Sequence, residues 1–221
     1  MTKHFKYFLY LYAFIGYSLS NAGSYDDFIA AVTFDQPATI EKLLARGLDP
    51  NTPNEKGETG LLVALQSESP KAAMVLAKHP STHLNAQNKA GETPLMLAAI
   101  NNQLELAQLL IERGADVNKP GWTPLHYAAT RGHREMMRLL LDNDAYIDSE
   151  SSNGTTPLMM AAYSAPSLAV KLLLEEGADP TLVNHGNATA LDLALRTEHE
   201  QSAFYIRAFI ESWYIQNPIK E

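Results

Sequence analysis

Hydrophobic residues recur along this chain in pairs of short segments with the spacing of amphipathic helices. The second segment of a pair carries adjacent aliphatic residues, as at Leu109–Leu110, Leu139–Leu140 and Leu172–Leu173. The first segment follows a threonine, and a proline stands next to that threonine in three copies. Threonine caps free backbone N–H groups, and proline suits the first helical position because its missing N–H is not needed there. The pattern therefore predicts an all-α chain of helix–turn–helix units.

These units repeat along nearly the whole chain. Five tetrapeptides align, namely Thr59-Gly-Leu-Leu62, Thr93-Pro-Leu-Met96, Thr123-Pro-Leu-His126, Thr156-Pro-Leu-Met159 and Thr189-Ala-Leu-Asp192. Their threonines are 34, 30, 33 and 33 residues apart (93 − 59, 123 − 93, 156 − 123, 189 − 156). Units close with phrases such as Gly114-Ala-Asp-Val-Asn118, where glycine suits a left-handed helix end, and Asp144 takes that place once. A degenerate copy over residues 26–51 makes six units.

These residues resemble the ankyrin repeat, a unit of about 33 residues with a β-turn finger and two antiparallel helices. The resemblance implies an ankyrin-repeat solenoid over residues 23–221, with nearest-neighbour contacts between units. The predicted units lie near 25–58, 59–92, 93–122, 123–155, 156–188 and 189–221. The last unit runs on into an aromatic helix that includes Phe204, Trp213 and Tyr214. This helix either seals the core or forms an exposed docking strip.

The first 22 residues have the three-part plan of a secretory signal peptide. Lys3 and Lys6 precede an apolar run over residues 7–17, and Ser20 and Ala22 suit a cleavage site before Gly23. An uncleaved membrane anchor and an N-terminal helix of the fold remain as alternatives. We expect cleavage, a periplasmic or secreted location, and no other membrane contact. A eukaryotic secreted origin also stays open.

The charge of the chain restricts its partner. The net charge is −8, and removal of Lys3 and Lys6 would leave −8 − 2 = −10. Nucleic acid and anionic membranes would repel such a protein, so a basic or neutral protein partner fits better. We expect the protein to be a monomer. The absence of cysteine excludes disulfides and thiolate chemistry.

The repeat is irregular on both sides of the unit that begins at Thr93. The following finger, around residues 118–123, lacks three residues, and His79-Pro-Ser-Thr-His83 replaces the glycine turn before it. We expect residues 79–92 and 118–123 to carry any specific recognition. Neutral trimming of a loop is the alternative explanation.

Motifs of an enzyme are absent from the sequence. It contains no phosphate-binding glycine loop, no Gly-x-Ser-x-Gly elbow and no His-Glu-x-x-His zinc motif. The acidic stretch over residues 142–150 lacks the ligand and the glycine that a calcium loop needs at its fifth and sixth positions. The resemblance implies structural roles for His126 and His133. We therefore predict no catalytic site, no cofactor and no metal.

The resemblance also implies that a partner meets the finger tips and the adjoining ends of the first helices. The candidate partner-binding residues at matching positions are Trp122, Arg131, Tyr163, Lys89, Ile100, Arg196 and His185. We favour Trp122, Arg131 and Tyr163, because aromatic and arginine side chains dominate binding energy. Alternatively, Trp122 only shields its finger.

We therefore expect a non-enzymatic module for protein–protein interaction, as an accessory or stabilising partner of an exported enzyme. An immunity protein that neutralises a secreted toxin is an alternative within the same class. An enzyme of unknown type is the rival class, although a repeat stack leaves no room for a catalytic domain.

Overall fold

The computed structural model describes residues 23–216, and within them every regular element is a helix. Helix α1 covers residues 23–33. The other eleven are α2 (Pro37–Ala45), α3 (Gly60–Gln66), α4 (Pro70–Lys78), α5 (Pro94–Ile100), α6 (Leu104–Glu112), α7 (Pro124–Arg131), α8 (Arg134–Leu141), α9 (Pro157–Ser164), α10 (Ser167–Glu175), α11 (Ala190–Arg196) and α12 (Glu200–Gln216). The predicted signal peptide lies outside the described residues.

The described part of the chain divides into two compact units, with the boundary between Gly91 and Glu92. In the first unit α4 packs on both α2 and α3, and the ring of Phe28 from α1 lies against Gly60 of α3. A side chain at Gly60 would meet that ring, since a Cβ there would lie 2.8 Å from its Cζ. Glycine in place of the proline of other units thus lets α1 and α3 approach each other.

In the second unit the helices form two layers. The first helices of its four repeats, α5, α7, α9 and α11, pack side by side in that order. The second helices, α6, α8, α10 and α12, pack in the same order behind them, and each contacts its own first helix. The face of α5, α7, α9 and α11 that points away from the second layer is therefore one continuous surface.

Threonine caps most first helices, as the sequence predicts. The Oγ1 atoms of Thr93, Thr156 and Thr189 accept hydrogen bonds from backbone N–H groups three residues later, at 3.2–3.3 Å. Thr59 differs, because its Oγ1 is buried and has no hydrogen-bond partner among the described residues. The capping prediction is therefore wrong for the hydroxyl of Thr59.

The ends of the second helices show the predicted left-handed turns. Gly114, Gly177 and Asp144 have φ values of 91°, 98° and 63°. After α4 the chain leaves the helix differently, because Thr82 donates its hydroxyl to the carbonyl of Leu76 at 2.6 Å. The Thr82 side chain thus satisfies a free carbonyl at the end of α4, where the glycine turn is missing.

The core lies between the two helical layers. One member of each aliphatic pair is fully buried, as for Leu110, Leu140 and Leu173. Helix α12, with 17 residues, is longer than the others, which have 7–9 in the range α2–α11. Its Ile206 is buried and its Phe204 is 63% exposed, so this helix both closes the core and leaves one aromatic ring in solvent. The side chains of Trp213 and Tyr214 lie outside the described residues.

Candidate protein-binding surface

In the second compact unit, the first helix of each repeat places equivalent side chains in two rows on one surface. We call this surface the first-helix face and define it by the residues four, seven and, in α7, eight positions after each threonine. These residues are Leu97, Ile100, Tyr127, Thr130, Arg131, Met160, Tyr163, Leu193 and Arg196. Leu97 is buried, and the others are half-buried or exposed. The face is thus largely apolar or aromatic, with arginines at two positions.

Hydrogen bonds join the carboxyl ends of neighbouring first helices. The Ser164 hydroxyl donates to the Thr130 carbonyl at 2.9 Å, which links α9 to α7. The Nδ1 atom of His199, just after α11, donates to the Ala162 carbonyl at 3.0 Å. His133 Nε2 likewise donates to the Ile100 carbonyl of α5 at 3.0 Å. These bonds hold the ends of the four helices in register, and they give His133 the structural role that the resemblance implies.

Arg131, Tyr163 and Arg196 lie at these joined helix ends. All three side chains are exposed, Tyr163 by 53%. Neither arginine forms an ion pair with a residue that the structure describes. Three of the predicted binding residues are therefore brought onto adjacent helices, on the same side of the molecule, with their polar groups available to a partner.

Trp122 stands at the amino end of the same surface and is half-buried. Its ring packs edge-on against His126 at 5.2 Å and against Tyr127 at 6.2 Å between centroids. The Tyr127 hydroxyl donates to Glu92 Oε1 at 2.9 Å, and burial raises the pKa of this tyrosine. Trp122 thus supports its finger and also presents an edge to solvent. Tyr127 was missed from the sequence, although its offset from Thr123 places it on this face, whereas Glu92 stands at a position that the resemblance assigns to the binding surface.

His126 is buried and works as a structural bridge. Its Nδ1 accepts from the Thr123 backbone N–H at 3.2 Å and lies 2.9 Å from the Thr123 hydroxyl. Its Nε2 donates to the Thr155 carbonyl of the next finger at 2.8 Å. Burial lowers the pKa of His126 to about 4, despite hydrogen bonds that raise it. A neutral ring with fixed donor and acceptor sides therefore connects two units.

Ile100 is less accessible to a partner than the sequence suggests, whereas His185 is exposed and also contacts the neighbouring finger. Ile100 is half-buried at the end of α5. His185 is exposed, but its backbone N–H donates to the Asn153 carbonyl at 2.9 Å. Its ring also lies over Gly154, where a Cβ would approach its Cδ2 to 3.0 Å. His185 thus joins the fingers at residues 151–155 and 184–188.

Lys89 belongs to the first compact unit, on the exposed finger at residues 88–92. It is one of the groups that hold the pKa of Glu58 below its usual range; the main cause is the hydrogen bond from Asn54, at 3.0 Å to Oε2. Gln66 donates to the other oxygen at 3.2 Å. The resemblance places Glu58 and Gln66 at positions of the binding surface, but the hydrogen bonds that join them to Asn54 were not predicted from the sequence.

The finger at residues 118–123 is shorter than its neighbours. Residues 120–122 form a bend, whereas the finger at 151–155 is closed by a hydrogen bond from the Ser151 N–H to the Thr155 carbonyl. Asn118 anchors the short finger by donating to the Asp144 carbonyl at 2.7 Å and accepting from the Tyr146 N–H at 2.9 Å. In the first unit Asn51 makes the same two bonds to Ser81 and His83. The trimmed loop therefore keeps the anchor of a full-length finger.

No cluster of three or more His, Asp or Glu side chains within residues 23–216 is placed to hold a metal ion. A cleft of ≈ 390 Å³ lies between the end of α9 and the start of α12, lined by Ser164, Pro166, His199 and Ser202 among others. No helix in the described part of the chain is long and apolar enough to cross a bilayer.

A stack of paired helices with hydrogen-bonded fingers defines a helical repeat protein. The family model described as ankyrin repeats (3 copies) matches residues 28–120 and 117–184, so this chain belongs to the ankyrin-repeat family. The predicted fold class is thus confirmed, and proteins of this family are generally interaction modules rather than enzymes.

Curated and solved proteins show the same likeness. The chain is 36% identical over 146 residues to the rat ankyrin repeat and SAM domain-containing protein 6 and covers 13% of its length. An ankyrin repeat domain from Acinetobacter baumannii AYE is 25% identical, with a TM-score of 0.72 over 82% of this chain and 96% of that one. A chain from the structure of a predatory endopeptidase of Bdellovibrio bacteriovorus in complex with an immunity protein is 24% identical. Its TM-score is also 0.72, over 82% of this chain and 97% of that one.

Proposed function

We propose that this chain is an exported, non-enzymatic protein that binds and stabilises a partner enzyme through its first-helix face. The observation that carries the proposal is the line of exposed Arg131, Tyr163 and Arg196 on helix ends held by hydrogen bonds. Arginine and tyrosine are enriched among residues that dominate binding energy, and a rigid scaffold lowers the entropy lost on binding. Export is the part of the proposal that rests on residues 1–22 alone.

A capture experiment tests the binding role. Tagged protein is used to capture partners from a periplasmic extract of its own host, and we expect one protein at stoichiometric yield. The double variant Arg131→Ala, Tyr163→Ala should lose this protein, because it removes two exposed side chains from the binding face. Arg138→Ala, on the exposed side of α8, serves as the matched control and should retain it. Equal recovery by both variants, or no partner at stoichiometric yield, would contradict the proposal.

Sequencing of the amino terminus tests export. Protein recovered from outside the cytoplasm should begin at Gly23. A chain that begins at Met1 and stays in the membrane fraction would favour the anchor instead.

An immunity protein against a secreted toxin is the second candidate. The net charge of −8 favours it, because an acidic protein attracts a basic toxin. The structural likeness to the endopeptidase–immunity protein complex is at 24% identity and supports the fold only. A toxin gene beside this one, and rescue of toxin-treated cells by this chain, would distinguish the two roles.

A further inference from the structure

Charge is segregated between the two helical layers of the second unit. The first helices α5, α7, α9 and α11 contain one acidic residue, Asp192, and two basic ones, Arg131 and Arg196. The Oδ2 atom of Asp192 accepts from the Thr189 N–H at 2.8 Å and from its hydroxyl at 2.7 Å, and the carboxylate keeps its charge and attracts Arg196 one helical turn later. The four first helices therefore carry a net charge of +1 (2 − 1).

The acidic residues of this unit lie mainly on the second helices and on the turns that follow them. Those on the second helices are Glu105, Glu112, Glu135, Glu175, Glu200 and Glu211. Turn residues such as Asp116, Asp142, Asp144, Glu150, Glu176 and Asp179 add to them. The second helices also carry the basic residues Arg134, Arg138, Lys171 and Arg207, so their net charge is −2 (4 − 6), and the turns hold most of the remaining acidic charge.

Between the two arginines the face is apolar. Tyr163 is exposed on α9, the helix between α7 and α11, and Met160 and Leu193 are half-buried beside it. Neighbouring helix axes are about 8–10 Å apart, so α7 and α11 lie roughly 16–20 Å apart. An extended chain covers that distance with about five or six residues, at about 3.3 Å each.

From this arrangement we infer that the first-helix face binds an extended partner segment with two carboxylates on either side of an apolar stretch. One carboxylate pairs with Arg131 and the other with Arg196, and the apolar residues between them cover Tyr163. The planar guanidinium matches a carboxylate with two parallel N–H donors, which sets the register of the segment. This inference rests on the proposed function and specifies the chemistry of its partner.

A selection from a peptide library tests the inference. The purified full chain is used to select from phage-displayed random peptides about twelve residues long, which is about twice the number of extended residues needed to reach from Arg131 to Arg196. We expect peptides with two acidic residues separated by about five or six positions and with aliphatic or aromatic residues between them. The binding should weaken as salt is raised, because the arginines are exposed.

Charge-reversal variants decide whether these arginines are responsible. Arg131→Glu with Arg196→Glu should weaken the selected peptides by at least about tenfold and should select basic peptides instead. The control pair Arg138→Glu with Arg207→Glu changes the net charge equally on the exposed side of α8 and α12 and should leave affinity within about twofold. Arg131→Gln with Arg196→Gln provides a milder variant, and circular dichroism confirms that each variant is folded.

Three results would overturn the inference. They are selection of basic peptides by the parent, affinity that does not respond to Arg131 and Arg196, and no enrichment at all. In the first two cases the chain still binds peptides, so the proposed function stands while the inferred chemistry fails. Absence of peptides together with an empty capture experiment would reject both.

Discussion

His126 makes the stability of this protein depend on pH in a way that one substitution isolates. The folded protein holds the neutral ring, since burial lowers the pKa of His126 to about 4, whereas an exposed histidine has a pKa of 6.5. Acid therefore favours the unfolded state, which binds the proton more readily. The stabilisation is complete above the unfolded pKa of 6.5 and is lost as the pH falls towards about 4.

The size of the effect follows from the two pKa values. Each pKa unit corresponds to about 1.4 kcal/mol, so the gap between 6.5 and about 4 sets a limit of roughly 3 kcal/mol. Between about pH 7.5 and about pH 5 this group should cost the folded state about 2 kcal/mol. Carboxylates also begin to titrate near the lower of these two pKa values, so the difference in stability between two variants is the useful quantity.

His126→Met is the suitable variant, because Met96 and Met159 occupy the same position in neighbouring units. Methionine fits the site but removes the Nε2–H donor. The Thr155 carbonyl still accepts from the Ser151 N–H, so the lost hydrogen bond should cost about 1 kcal/mol. At about pH 7.5 we expect the variant to be about 1 kcal/mol less stable than the parent, and at about pH 5 about 1 kcal/mol more stable.

Urea unfolding followed by far-ultraviolet circular dichroism at several pH values measures this difference. Titration of the His126 ring by NMR gives its pKa independently. If the stability difference between parent and variant stays constant from about pH 7.5 to about pH 5, protonation of His126 does not contribute to the pH dependence of stability.

The remaining predictions concern single contacts. Burial raises the pKa of Asp148, so the ionised carboxyl costs stability as the pH rises through that pKa. Asp148→Asn should therefore stabilise the protein at neutral pH in urea unfolding, with a smaller gain in acid, and a loss at neutral pH would contradict this. Gly132 has φ 69°, and a Cβ there would lie 2.7 Å from Pro166 Cδ. Gly132→Ala should therefore cost roughly 2–3 kcal/mol, part of which Pro166→Ala restores; no recovery would exclude the clash. Trp122→Ala should destabilise by about 1 kcal/mol through its lost ring contacts, and an unchanged melting temperature would make Trp122 a pure binding residue.

Much of the candidate site could be predicted from the repeat. Arg131, Tyr163 and Arg196 are recognisable because each stands seven or eight residues after a threonine, and such offsets fall on one face of equivalent helices. Their contact network was not predictable in the same way. The bond from Ser164 to Thr130 and the bond from His199 to Ala162 join different units, and their geometry depends on how two helices pack.

Periodicity alone determined the helices, their pairing into units and the side chains that face the core, because local spacing and capping residues specify these features. It also located the irregular junctions and the left-handed turn at Asp144. Packing between units decided the rest. It buried His126 and placed the ring of Trp122 edge-on against Tyr127. It also placed the arginines of the first-helix face on a different layer from the carboxylates of the second helices. Net charge is a sum over the chain, whereas a partner meets only one surface, and that surface exists only once neighbouring units have stacked.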